Sequence, residues 1–119
     1  MAKSRGLVNL ICDYNNALSE PQRVKMMKIM GSNPENTVSV SDFARILGIS
    51  QPSATKHLKI LHDVDLIDRK RVGSAVYYSL NLQNIDEYHQ LLELAFVKGF
   101  SPCPHGYKCD SCPETDTCA

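Results

Sequence analysis

Phe43-Ala44-Arg45-Ile46-Leu47-Gly48-Ile49-Ser50-Gln51-Pro52-Ser53-Ala54-Thr55-Lys56-His57-Leu58-Lys59-Ile60-Leu61 is the stretch on which the fold turns. Ser41 or Ser39 can cap a short helix whose apolar positions are Phe43, Ala44, Ile46 and Leu47. Gly48 ends it, because glycine alone enters the left-handed C-cap conformation without steric cost. Ser50 then caps a second helix, predicted from Gln51 to about Val64, with Ala54, Leu58, Ile60 and Leu61 on its apolar face. Two short helices joined by a glycine-containing turn form the helix-turn-helix pattern.

Downstream, Leu66 to Arg71 and Ala75 to Leu80 flank Gly73-Ser74, and the second run is rich in β-branched and aromatic residues. This predicts a β-hairpin. Asn84, with Glu87 three residues on, predicts the start of a last helix lined by Ile85, Tyr88, Leu91, Leu92, Ala95 and Phe96 and closed by Gly99. Upstream, Leu7, Leu10, Ile11, Tyr14 and Leu18 recur at helical spacing and predict a helix over Leu7 to Ala17. Ser19, Pro21 and Gln22 predict the start of a second helix running through Val24, Met27, Ile29 and Met30 and stopping at Gly31. The expected fold is mainly α with a small β-hairpin, a winged helix-turn-helix that dimerises through its first and last helices. The expected division is a folded domain over residues 1–100, read below as the DNA-binding and dimerisation domain, and a cysteine-rich tail over 101–119.

The chain has 119 residues, 43% apolar and 22% charged, a globular composition suited to one domain. That size excludes a two-domain cofactor enzyme. No nucleophile–base–acid set and no glycine-rich phosphate loop is present, so the chain does not read as an enzyme. No apolar run reaches the ~20 residues that span a bilayer. Leu7 to Ile11 is too short for a signal-peptide core. A cytoplasmic protein is the expectation.

Net charge is zero, yet the charges are segregated. Gln51 to Arg71 carries five basic residues against three acidic ones, whereas Ser101 to Ala119 carries one lysine against three acids. A local cationic face is what phosphate binding needs. A helix entering the major groove needs short polar groups and cations on an outward face near its start. Ser50, Gln51, Ser53, Thr55 and Lys56 supply them. Gln51 can bond a base edge bidentately, and the serine and threonine hydroxyls can reach bases or phosphates. Lys56 and Lys59 attract phosphate. His57 either touches phosphate or is a packed, hydrogen-bonded helix residue. Arg69, Lys70 and Arg71 make the hairpin a wing against the backbone or minor groove.

Residues from about 14 to 82 resemble the ArsR/SmtB family of bacterial and archaeal metal- and redox-responsive repressors. The likeness rests on Ala17 to Arg23, on Phe43 to Leu61 and on Tyr77-Tyr78-Ser79-Leu80. It implies a homodimer built from the first and last helices, a two-fold-symmetric duplex operator, and repression relieved by an inducer. It also implies a recognition helix over Gln51 to His62 and a wing around Gly73. Leu7, Leu10, Ile11 and Tyr14 with Leu91, Leu92, Ala95 and Phe96 independently offer more apolar face than one small domain needs.

The family's metal sites do not carry over. Members with a Cys-x-Cys before the recognition helix differ from this chain, which has Ser39-Val40-Ser41 there. Members with zinc ligands on the last helix use Asp-x-His, whereas Asp86-Glu87-Tyr88-His89 lacks that spacing. The tail offers instead Cys103, Cys109, Cys112 and Cys118, with His105 as an alternative ligand. Cys109-x-x-Cys112 is a chelating pair, and four thiolates can close a tetrahedral zinc site. The same set could hold an iron–sulfur cluster or form a reversible disulfide. Cys12 reads as a small core residue of the first helix.

Overall fold

The structure, a computed structural model, describes residues 6–33 and 38–98. The tail cysteines Cys103, Cys109, Cys112 and Cys118, and His105, lie outside the described residues, as does Gly99.

Helices α1 (Leu7–Ala17) and α2 (Pro21–Ser32) lead into strand β1 (Val38–Ser39), followed by α3 (Val40–Leu47), α4 (Gln51–Asp63), β2 (Ile67–Val72), β3 (Ala75–Leu80) and α5 (Leu82–Glu93). A π-helical turn, Leu94–Lys98, continues α5. The sheet is antiparallel with order β1-β3-β2, so the expected hairpin carries a third, two-residue strand. Val38 pairs with Tyr78 and Ser39 with Tyr77. None of the helices formed by the described residues is long and apolar enough to cross a membrane.

The core gathers Tyr14, Met26, Phe43, Ala54, Leu58, Leu61, Leu66, Ile67 and Tyr78. Phe43 and Tyr78 meet edge-on, with ring centroids 6.4 Å apart. Each fully buried aliphatic or aromatic side chain here stabilises the fold by about 1.5–3 kcal/mol. Because Ala54, Leu58 and Leu61 all point inward, α4 is held by its apolar face and its polar face is left outside.

Helix ends follow local chemistry, with several departures from expectation. Ser39 rather than Ser41 caps α3: its hydroxyl accepts from the Asp42 amide while Asp42 accepts from the Ser39 amide, a complete capping box. Gly48, at φ +66°, closes α3 as expected, and the Ile49 amide bonds the Ala44 carbonyl. At the end of α4 the same motif is made without glycine. Asp65 sits at φ +59° while the Asp65 amide bonds His62 O and the Leu66 amide bonds Leu61 O.

Glu20, not Ser19, caps α2, accepting from the Gln22 amide; the Ser19 hydroxyl is used on the Asn16 carbonyl instead. Gly31 does not stop α2. The helix runs on to Ser32 and is closed at Asn33, whose side chain donates to Ile29 O over 2.9 Å. Asn81, not Asn84, caps α5, because the Asn84 side chain is spent on the Asp65 carbonyl. Val24 and Ile46, expected on apolar faces, are exposed. Cys12 is exposed too and is no core residue, since the buried side of α1 is Leu7, Ile11, Tyr14 and Ala17. No residue of α5 is fully buried, and Leu82 and Phe96 are exposed.

Candidate nucleic-acid interface

The start of α4 is built as a polar platform. Ser50 Oγ accepts from the Ser53 amide at 3.2 Å and donates to Ser53 Oγ at 3.0 Å. Gln51 Nε2 donates to Ser41 Oγ at 3.1 Å, which ties the first turns of α3 and α4 together. Gln51, Ser53, Thr55, Lys56 and Lys59 are all exposed. Gln51, Thr55 and Lys59 recur every fourth residue and form one stripe, with Lys56 beside it. Lys59 Nζ lies 2.9 Å from Asp63 Oδ2, but the two side chains are 72% and 57% exposed. Such a pair contributes under about 1 kcal/mol, so Lys59 remains available to an incoming phosphate.

His57 is packed and hydrogen-bonded within the chain. It is half-buried, and its Nδ1 accepts from Arg23 Nη1 of α2 at 3.2 Å. Arg23 carries no spacing or motif signal of its own in the sequence. Its only sequence signal was its place in the family-like segment from Ala17 to Arg23.

The wing is a two-residue hairpin. Val72 pairs with Ala75, and Gly73 holds φ +62° at the first turn position. Arg69, Lys70 and Arg71 are exposed along β2, opposite Tyr78, Tyr77 and Val76. Alternation places Arg69 and Arg71 on one face and Lys70 on the other. Asn81 Nδ2 donates to Asp68 Oδ1 at 3.1 Å, anchoring the base of the wing to the cap of α5.

The residues that replace the family's thiolates have other uses. Ser39 is consumed in the α3 cap, and Ser41 accepts from Gln51. The backbone amide of Ser39 holds the Asp42 carboxyl below the usual carboxylate range. On α5, Gln90 donates to Asp86, and His89 lies against the Tyr88 ring. Among the described residues no three histidine, cysteine or acidic side chains are grouped to hold a metal ion.

Residues 20–69 match the family described as bacterial regulatory protein, arsR family. The chain is 35% identical over 65 residues to the transcriptional repressor SdpR of Bacillus subtilis (strain 168), covering 55% of this chain and 69% of that protein. It is 33% identical over 81 residues to the cadmium resistance transcriptional regulatory protein CadC homolog of Staphylococcus aureus, covering 68% and 63%. In fold it is similar to the homodimeric winged helix-turn-helix DNA-binding domain Mb0332 from Mycobacterium bovis. That likeness has a TM-score of 0.61 at 18% identity and spans 75% of this chain and 80% of that one. The chain belongs to the ArsR family of DNA-binding transcriptional regulators, winged helix-turn-helix proteins that are not enzymes.

Proposed function

We propose that the protein is a homodimeric repressor that reads a two-fold duplex operator and releases it in response to a metal ion or a redox signal. The observation that carries the DNA-reading part is the division of α4: Ala54, Leu58 and Leu61 buried, and Gln51, Ser53, Thr55, Lys56 and Lys59 outside. In this reading α4 lies in the major groove and Arg69 and Arg71 of the wing meet the backbone or minor groove. Ser50 contributes through its cap and the amides it orients.

Dimerisation through α1 and α5 is supported by their incompletely covered apolar surface: Val8, Leu82 and Phe96 are exposed, and Leu10, Leu91, Leu92 and Ala95 half-exposed. The signal is assigned to Cys103, Cys109, Cys112 and Cys118, with His105 as alternative ligand, on their spacing alone. Zinc is the preferred occupant, with an iron–sulfur cluster or a reversible disulfide as the other forms of the same reading. The tail follows α5 and its π-helical continuation in sequence, so ligation there can bias the dimer and with it the spacing of the two recognition helices. A coupling of about 1–3 kcal/mol would suffice for a switch.

The test is duplex binding by anaerobically purified protein, zinc-loaded and chelator-stripped, across a salt titration, with sedimentation to give the oligomeric state. Binding that falls steeply with salt supports DNA recognition. Different affinities in the two metal states support signalling through the tail. Equal affinities reduce the cysteines to a structural or purely thiol-based site.

A further inference from the structure

Arg23 joins three helices at one guanidinium. Its Nε donates to Ala17 O at 2.6 Å and its Nη2 to Asn16 O at 3.2 Å, both at the C-terminal end of α1, where carbonyls lack helical partners. Its Nη1 faces His57 Nδ1 of α4 at 3.2 Å. Arginine can only donate, so in this pair His57 Nδ1 is the acceptor. The planar fork fixes all three directions together, which a lysine ammonium cannot do. The side chain is already directed to three acceptors of its own chain.

The apolar contacts of Ala54, Leu58 and Leu61 hold α4 against the core but are non-directional. The Arg23–His57 bond is directional and meets α4 at the residue between Lys56 and Leu58. We propose that Arg23 is a positioning residue for DNA recognition: through His57 it sets the rotation of α4 relative to the end of α1, and so the presentation of Thr55, Lys56 and Lys59. This inference rests on the reading of α4 as the DNA-binding helix. It concerns sequence discrimination rather than phosphate attraction, because a rotated helix still carries its cations but no longer aligns its short polar groups with base edges.

The probe is a fluorescein-labelled duplex enriched by the wild-type protein from a random-sequence pool, compared with a scrambled duplex of equal length. The variants are Arg23→Lys, His57→Leu, the double variant, and His57→Asn, whose side-chain oxygen stands near the position of Nδ1. Circular dichroism and thermal melting accompany each. Arg23→Lys and His57→Leu should each weaken the selected duplex about tenfold, the scale of one charged hydrogen bond, while changing scrambled binding much less. The double variant should be no worse than the poorer single one. The salt slope should not change, and His57→Asn should retain most of the discrimination.

Losses that multiply in the double variant overturn the proposal, as does a slope shallower by about one with equal loss on both duplexes, the signature of a phosphate contact. If His57→Leu fails to fold, His57→Asn decides: retained discrimination supports the clamp and lost discrimination refutes it. Wild-type binding with unaffected variants overturns this inference alone. A wild-type protein that binds neither duplex overturns the DNA-binding reading and this inference with it.

Discussion

The rings of Tyr14 and Tyr88 meet with centroids 5.1 Å apart and planes inclined at 51°, joining α1 to α5. Tyr88 Oη also donates to Asn15 Oδ1 at 2.5 Å. The two phenols fare differently. Tyr14 is buried to 1% exposure, and its hydroxyl has no hydrogen-bond partner among the described residues. Burial pushes its phenol above the ordinary value, and the carboxylates of Glu87, Asp65 and Asp13 push it further.

Tyr14→Phe removes a hydroxyl that burial has stripped of partners while keeping the ring contact. Urea unfolding near neutral pH should show unchanged or increased stability, up to about 1 kcal/mol. The pH dependence has a definite sign. The folded-state value is raised, so the neutral phenol's contribution is present below about 10 and is lost as pH rises past it, because the unfolded chain ionises first. The phenylalanine variant should therefore lose less stability above pH 10 than the wild type. A destabilised variant would show that the hydroxyl has a partner after all.

Gly48 and Gly31 should respond to alanine with opposite signs. At Gly48 an added Cβ meets nothing within 4 Å among the described residues, yet φ is +66°. The cost is then purely conformational, about 1 kcal/mol. At Gly31, in the last turn of α2, the Cβ would meet Leu80 Cδ1 at 3.4 Å and no other atom within 4 Å outside the helix backbone and its chain neighbours, among the described residues. Helix propensity should dominate there and give a gain of about 0.5–1 kcal/mol. Thermal melting of the two single variants measures both.

Lys56 is exposed on the outer side of α4, beside the stripe of Gln51, Thr55 and Lys59. Lys56→Gln should weaken selected and scrambled duplexes alike and reduce the salt slope by about one, as expected of a phosphate contact. Fluorescence anisotropy at several salt concentrations reads both quantities. A loss confined to the selected duplex would assign Lys56 to base reading instead.

Asp42 sets an acid limb. Its carboxyl is held low chiefly by the Ser39 amide, helped by the Ser39 hydroxyl and by Arg45, which lies 3.2 Å away. A depressed folded-state value contributes stability above the unfolded value near 4 that is lost as pH falls through the folded one. Asp42→Asn should be less stable than wild type at pH 7, and the gap should close as pH drops below about 4. A gap that persists unchanged at low pH would mean that the loss is not electrostatic.

Much of the DNA-reading unit was legible in the residues. The Gly48 stop, the Ser50 cap and the Ala54–Leu58–Leu61 face each depend on groups within about one helical turn. The Gly73 turn is equally local, and the paired strands emerge at Ile67–Val72 and Ala75–Leu80. Local spacing therefore sufficed to say which face of α4 looks outward.

Contacts between distant segments decided the remainder. Whether Asn81 or Asn84 caps α5 depended on the Asp65 carbonyl, which claims the Asn84 amide from 19 residues away. Val38–Ser39 is too short to announce itself as a strand, and it exists because Tyr77 and Tyr78 present an open edge. Likewise the partner of His57 Nδ1 is set only when α2 brings Arg23 to within 3.2 Å across 34 residues. Helix periodicity and caps are set by neighbours in sequence, so composition and spacing express them. The choice among competing hydrogen-bond partners is made only when the packed core brings remote groups together.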